Sequence, residues 1–84
     1  SVIIGRDPQH ANIILSHLQV SGAHILVRWD PLVKTFLVQD LNAMHGNFVN
    51  GRRLTQGEKV LTDGTNVHVE MGSHIASFIL INTN

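Results

Sequence analysis

One stretch carries most of the structural information in this sequence: Asp40-Leu41-Asn42-Ala43-Met44-His45-Gly46-Asn47-Phe48-Val49-Asn50-Gly51. Its last two residues, Asn50 and Gly51, are a strong signal for a two-residue turn, because both tolerate the positive φ that such a turn requires. The residues before it, Thr35 to Gln39, are mostly β-branched or apolar, as is typical of a strand. The stretch therefore predicts the end of a strand, a tight loop and a hairpin turn.

Short strands and turns are predicted along almost the whole chain. In the segment from His24 to Trp29, apolar residues alternate and place Ile25 and Trp29 on one face, and Asp30-Pro31 then ends the strand because proline lacks the ladder donor. Trp29 is expected to anchor the core. The segments interpreted as strands are Val2 to Ile4, Asn12 to Leu15, His24 to Trp29, Thr35 to Gln39, Asn66 to Glu70 and His74 to Asn82.

No window of the sequence has a helical period. Asp63-Gly64 adds a second turn signal, and such signals recur roughly every ten residues. Short strands at this spacing are typical of an all-β sandwich. We therefore predict two mostly antiparallel sheets, with Phe48 as a further core anchor.

Composition limits the size and chemistry of the domain. The chain has 84 residues, which predicts one small domain over 1–84 with a modest core. It contains no cysteine, so it has neither a disulfide nor a thiolate for catalysis or metal binding.

Charge and hydropathy argue against several partners. Six basic residues balance six acidic ones, so no general field attracts nucleic acid or an anionic membrane. No basic segment precedes an apolar run, so no signal peptide is expected. The longest largely apolar run, 75–81, is too short to cross a bilayer. The absence of cysteine fits the reducing interior of a cell, so we expect an intracellular protein, whether nuclear, cytoplasmic or cytoskeletal.

Histidines and serines do not form a convincing metal or catalytic site. The spacing of the six histidines is not that of metal ligands, so we predict no metal; they are His10, His17, His24, His45, His68 and His74. Ser16-His17 and Ser73-His74 are adjacent pairs without a third member or a nucleophile elbow. We therefore predict that the protein is not an enzyme.

Together with Gly5-Arg6 and Ser21-Gly22-Ala23-His24, the stretch from Asp40 to Gly51 resembles the signature of the forkhead-associated (FHA) domain. The resemblance implies a β-sandwich that binds phosphothreonine-containing proteins through loops at one edge, without a cofactor. It also implies intracellular signalling as the setting.

The first two blocks contain the residues that the resemblance assigns to the phosphate. Arg6 supplies a planar, permanently charged donor, and Gly5 lets the chain leave its strand. Ser21 donates its hydroxyl, and the main-chain N–H of Gly22 adds a further donor. His24 is implied to be structural, since it holds the loop that carries the serine.

The third block departs from the family pattern Asp-Leu-Gly-Ser-x-Asn-Gly-Thr. Gly46 matches and supports the loop, whereas His45 replaces the asparagine that bridges the peptide main chain, and Asn47 replaces the threonine. His45 and Asn47 are expected to face the peptide or to frame the loop. Met44, where a hydroxyl often assists phosphate binding, places an apolar group against the peptide.

A second interpretation follows from these departures. The chain would then be a degenerate FHA domain, used as a phosphate-independent interaction or self-association scaffold. The strand that usually precedes the Gly-Arg pair is expected to be missing, which leaves the closing strand from Ser77 to Asn82 with an unpaired edge. Competition by a phosphothreonine peptide separates the two interpretations.

Overall fold

A computed structural model describes residues 1–62 and 66–82 of the chain. Within these ranges nine strands form two sheets, and no helix is present. The strands are β1 (Val2–Gly5), β2 (Ile13–Ile14), β3 (Ile25–Asp30), β4 (Thr35–Asp40), β5 (Asn47–Val49), β6 (Arg52–Arg53), β7 (Lys59–Leu61), β8 (Asn66–Met71) and β9 (Ala76–Ile81).

The two sheets have the orders β2-β1-β3-β4-β7 and β6-β5-β8-β9. Only the short β1–β2 pair is parallel; the other described pairs are antiparallel. This arrangement confirms the predicted all-β sandwich. The predicted hairpin of β3 with β4 is also present, with Ile25 opposite Asp40 and Asp30 opposite Thr35. The predicted Asp63-Gly64 turn lies outside the described residues.

The core lies between the sheets and follows the alternation of the strands. In β8, Val67, Val69 and Met71 are buried while the residues between them are not, as expected for a strand with one face on a core. On the facing side of the other sheet, Ile25 and Val38 are buried. No helix in the described residues could span a membrane.

Trp29 is not a core residue, contrary to the prediction. Its side chain is 39% exposed and packs edge-to-face on Phe36, with ring centroids 5.0 Å apart. The alternation gave the correct face, but β3 runs outward beyond the core, so burial falls from Ile25 to Trp29. Phe48 is also only partly buried.

Three further features were expected from the sequence: the turn at Asn50-Gly51, the unpaired edge of the closing strand and the position of His74. Asn50 and Gly51 have φ of 48° and 83°, which confirms the predicted turn between β5 and β6. β9 lies at the edge of its sheet, with β8 as its only neighbour in the described part of the chain. His74, expected at the start of the closing strand, lies in the turn before it with φ of 61°.

Candidate functional site

Three loops meet at one end of the sandwich: the loop after β1, the loop before β3 and the loop between β4 and β5. Hydrogen bonds join the first two, because Arg6 N donates to Ser21 O at 3.0 Å and Asp7 N to Gly22 O at 3.2 Å. The third joins them where Met44 N donates to Ser21 Oγ at 3.3 Å. The fold therefore brings Arg6, Ser21, Gly22 and Met44 together.

Gly5 allows the first two loops to approach at backbone distance. A Cβ added to Gly5 would overlap the carbonyl oxygen of Gly22. From the sequence, Gly5 was expected to support the site by letting the chain leave its strand. The structure adds a steric reason, since no other residue fits against Gly22 in this position.

The guanidinium of Arg6 is anchored and still has donors free. Its Nε donates to the carbonyl oxygen of Val20 at 3.1 Å, and Val20 itself is buried. Its terminal nitrogens make no hydrogen bond within the described residues, and the residue is exposed. Arg6 forms no ion pair within the described residues. The adjacent carboxylate of Asp7 instead accepts from Gln9 N at 2.9 Å and contacts His10 Nδ1 at 2.6 Å.

Ser21 is held so that its hydroxyl hydrogen remains available. Its main-chain N–H donates to Nδ1 of His24 at 3.0 Å, and its Oγ accepts the N–H of Met44. Within the described residues Oγ donates no hydrogen bond, so its own hydrogen is free to point away from the protein. Ser21 is therefore a pre-positioned donor beside Arg6.

His24 links the serine loop to the β4–β5 loop. The ring is fully buried; Nδ1 accepts from Ser21 N, so Nε2 carries the hydrogen and donates to Gly46 O at 2.9 Å. Burial lowers the pKa of His24, and the Gly46 bond and the charge of Asp40 only partly oppose that shift. The neutral form is essential, since a protonated ring has no acceptor for Ser21 N.

The burial of His24 predicts a pH-dependent stability. Its pKa is lower in the folded than in the unfolded state, where it is near 6.5, so the unfolded chain binds more protons below that pH. The His24 contribution is complete above pH 6.5 and is lost as the pH falls through 6.5 towards the folded-state pKa. We expect the free energy of unfolding to fall by at most about 1.4 kcal/mol per pH unit in this range.

Urea unfolding at a series of pH values between about 5 and 8 measures this slope. His24→Gln should flatten the curve, whereas His68→Gln, which alters an exposed histidine on β8, should keep it. A wild-type curve that is flat below pH 6.5 contradicts the assigned role of His24.

Gly46 closes the β4–β5 loop around the histidine. Its φ of 79° requires glycine, and its N–H donates to Ala43 O at 3.1 Å to form a turn. Its carbonyl oxygen accepts two hydrogen bonds, from His24 Nε2 and from Gly72 N, each at 2.9 Å. The loop position is therefore fixed from both sheets.

Asn47 lies beneath the loop and not at its surface. Its side chain is fully buried, and Nδ2 donates to His24 O at 3.0 Å and to Asp40 Oδ1 at 2.7 Å. Facing the peptide and framing the loop were both expected for this residue, and its contacts are those of a framing residue. Its Oδ1 has no partner among the described residues.

Asp40 is a framing residue that the sequence-based assignment of the site omitted. Its buried carboxylate accepts from Asn47 and also, through Oδ2, from Asn42 N and Gly57 N at 3.0 Å each. Asp40 was recognised only as part of the family pattern. The signal available for its role was its place at the end of β4, directly before a loop whose N–H groups need acceptors.

Met44 and His45 form the exposed rim of the site. Met44 is 81% exposed, and His45 is also exposed. Both line a surface depression with Gln19, Phe48, Arg53, Ser73 and Ile75. The loss of a hydroxyl at position 44 changes only the side chain, since the main-chain N–H still holds Ser21.

The described residues contain no group of three or more histidine, cysteine, aspartate or glutamate side chains arranged to hold a metal ion. The chemistry of this end of the molecule is therefore that of hydrogen-bond donors and a positive charge. Such an arrangement suits an anion that accepts several hydrogen bonds.

The comparison with protein families agrees with this geometry. The sequence model of the FHA domain matches residues 2–70, and the chain therefore belongs to the FHA domain family. No curated protein sequence matches it.

Solved structures of FHA domains resemble the whole chain. The FHA domain of CT664 from Chlamydia trachomatis is 26% identical with a TM-score of 0.77, over 99% of this chain and 76% of that one. The FhaA FHA domain, solved in complex with the intracellular domain of Rv3910, is 31% identical with a TM-score of 0.67, over 95% and 77%. A structure from a study of phosphothreonine-dependent FHA domain interactions is 30% identical with a TM-score of 0.72, over 99% and 76%.

Proposed function

We propose that this domain is a non-catalytic interaction module that docks phosphothreonine-containing segments of a partner protein. One observation carries the proposal: Arg6 and Ser21 are fixed side by side by bonds that leave their outward donors free. The kinship with an FHA domain studied for phosphothreonine-dependent interactions supports threonine as the modified residue.

The donors match the chemistry of a phosphate group. A phosphothreonine carries a charge of about −1.5 to −2 at pH 7 and three acceptor oxygens. The free nitrogens of Arg6 can engage two of these oxygens, and the hydroxyl of Ser21 the third. The main-chain N–H of Gly22 makes no hydrogen bond within the described residues and adds a further donor.

Phosphate contacts alone give limited affinity. Charged hydrogen bonds from one arginine and one serine contribute roughly 2–4 kcal/mol, which is small beside the entropic cost of association. The peptide main chain must therefore be held as well. His45 is exposed on the rim, and its neutral ring has one donor and one acceptor for that purpose. Met44 offers apolar, adaptable surface to the peptide side chains.

A peptide titration tests the proposal. The chain is titrated by fluorescence anisotropy with a degenerate phosphothreonine peptide library, its unphosphorylated counterpart and a phosphoserine counterpart. We expect binding only to the phosphorylated libraries, because the donors recognise phosphate and not the hydroxyl that it replaces. Phosphothreonine should be preferred over phosphoserine, as the kinship with an FHA domain studied for phosphothreonine-dependent interactions suggests.

Ser21→Ala should weaken phosphopeptide binding about tenfold, which is the loss of one charge-assisted hydrogen bond. The matched control is Ser77→Ala, which removes an exposed hydroxyl on β9. Equal binding of phosphorylated and unphosphorylated peptides by the folded chain would refute a phosphate reader.

A phosphate-independent scaffold is the second candidate, and one observation favours it. β9 is an edge strand that exposes Ile79 and Ile81, and Phe78 and Leu80 on its other face line an apolar depression with Val2. Exposed apolar edge strands favour association. Sedimentation that shows dimers, together with no effect of phosphothreonine peptide on partner binding, would support this candidate over the first.

The proposed ligand also suggests where the protein acts. Phosphothreonine is made inside cells, so we propose an intracellular location and a role in signalling. Microscopy of the tagged protein in living cells tests that location directly.

A further inference from the structure

A second positive group lies beside the candidate site: the guanidinium of Arg53. Arg53 ends β6, and its Cζ lies 5.8 Å from the centroid of the Phe48 ring. The guanidinium also covers Gly46, since a Cβ at that position would come within 2.8 Å of Arg53 Nε. Arg53 is therefore seated on the loop that presents Met44 and His45.

Arg52 and Arg53 are neighbours in sequence but differ in their partners. Arg52 donates to both carboxylate oxygens of Glu58, at 3.3 and 2.9 Å, and this pair holds the pKa of Glu58 at about 2. Arg53 has no carboxylate partner among the ion pairs of the described residues. Successive residues of a strand face opposite sides, so Arg52 turns to Glu58 and Arg53 to the loop. The charge of Arg53 is thus available to a ligand.

Arg53 lines a depression that opens beside the proposed phosphate donors. Gln19, which precedes the Val20 carbonyl that anchors Arg6, lines this depression together with Met44 and His45. Met44 is the residue whose N–H is bound to Ser21. An extended peptide advances about 3.3 Å per residue. Because Gly46, which Arg53 covers, is only two residues from Met44, a peptide whose phosphate lies at Ser21 reaches Arg53 within a few residues.

We propose that Arg53 is a specificity-determining residue that binds a carboxylate side chain a few positions from the phosphothreonine in the same peptide. The proposal rests on the phosphothreonine-binding function proposed above. A guanidinium is well suited to a carboxylate because its fork can donate two parallel hydrogen bonds. The contacts with Phe48 and Gly46 already restrict the arginine, so less side-chain freedom is lost on binding.

The contact between Arg53 and a peptide carboxylate is expected to raise affinity modestly and to change peptide selection clearly. Arg53 is exposed, and ion pairs at exposed sites are screened by solvent. Charge complementarity at the rim of an interface chiefly selects among partners. We expect an aspartate at the preferred position to improve binding about fivefold over alanine.

An oriented phosphothreonine library, degenerate at about four positions on each side, tests this inference. It should select aspartate or glutamate at one position, and a matched aspartate and alanine peptide pair is then titrated. The dissociation constant of the alanine peptide divided by that of the aspartate peptide should be about five for the wild type and about one for Arg53→Gln. Arg52→Gln is the matched control, with the same charge change one residue away, and should keep a ratio of about five.

Charge reversal gives a second readout. Arg53→Glu should change the selected residue from acidic to lysine or arginine. Thermal unfolding of each variant verifies that the fold persists, as expected for changes at an exposed side chain.

The outcomes separate this inference from the function on which it rests. Phosphate-dependent binding without acidic selection, or with acidic selection that survives Arg53→Gln, overturns the role of Arg53 alone. Equal binding of phosphorylated and unphosphorylated libraries overturns the proposed function and the role of Arg53 together.

Discussion

Replacement of Arg6 by alanine is expected to weaken phosphothreonine peptide binding about 100-fold, equivalent to about 2.7 kcal/mol. The substitution removes the only charged side chain proposed to contact the phosphate, and with it two charge-assisted hydrogen bonds. The fold should persist, because Arg6 is exposed and, among the residues that the structure describes, its side chain bonds only to the Val20 carbonyl. Isothermal titration with the best library peptide, together with a melting curve, measures both quantities.

The control for this prediction is Arg28→Ala, which removes the same charge from an exposed position on β3. Arg28 lies four residues along the chain from His24, or about 13 Å in an extended strand, so it is remote from the phosphate donors. Its loss should alter affinity less than about twofold. Similar losses for both variants would indicate a general field and not a specific contact at Arg6.

Replacement of Gly5 by alanine is expected to lower the free energy of unfolding by about 3 kcal/mol. The new methyl group would overlap the carbonyl oxygen of Gly22, which is backbone and cannot rotate away. Relief requires β1 and the serine loop to separate, which breaks the hydrogen bonds from Arg6 N to Ser21 O and from Asp7 N to Gly22 O. Chemical denaturation monitored by Trp29 fluorescence measures the change.

Gly22→Ala tests the same contact from its other side. A Cβ on Gly22 would meet only the Cβ of Asp7, at an ordinary contact distance of 3.4 Å. We expect a change within about 1 kcal/mol, as for a surface substitution without steric conflict. If the two alanine variants were equally stable, the close approach at Gly5 would not be the reason for this glycine.

The sequence was sufficient for the fold because its signals are local. The β-branched runs and the Asn50-Gly51 turn predict strands and a hairpin without reference to the rest of the chain. How deeply a residue is buried cannot be predicted from such local signals. Alternation placed Trp29 on the correct face, but only the packing of the two sheets shows that β3 carries it beyond the core. β6 and β7 were also not predicted, because two and three residues are too few to display a period.

The candidate site likewise has residues that the sequence predicted and contacts that only the structure shows. Arg6, Ser21 and His24 were assigned from the resemblance to the FHA signature, and the structure brings them together. The Val20 carbonyl that anchors Arg6 has no sequence signal, since every residue has such a carbonyl. Arg52 and Arg53 are equivalent in sequence, and only the position of Glu58 shows that Arg52 already has a carboxylate partner.

The buried ring of His24 has a consequence for the thermodynamics of recognition. It connects Ser21 to Gly46, and Gly46 in turn accepts from Gly72, so residues distant in sequence form one rigid frame before any ligand arrives. Little protein conformational entropy then remains to be lost when a peptide docks. Most of the conformational entropy lost on binding is therefore lost by the peptide. Partner segments that are already extended in their free state should bind more tightly.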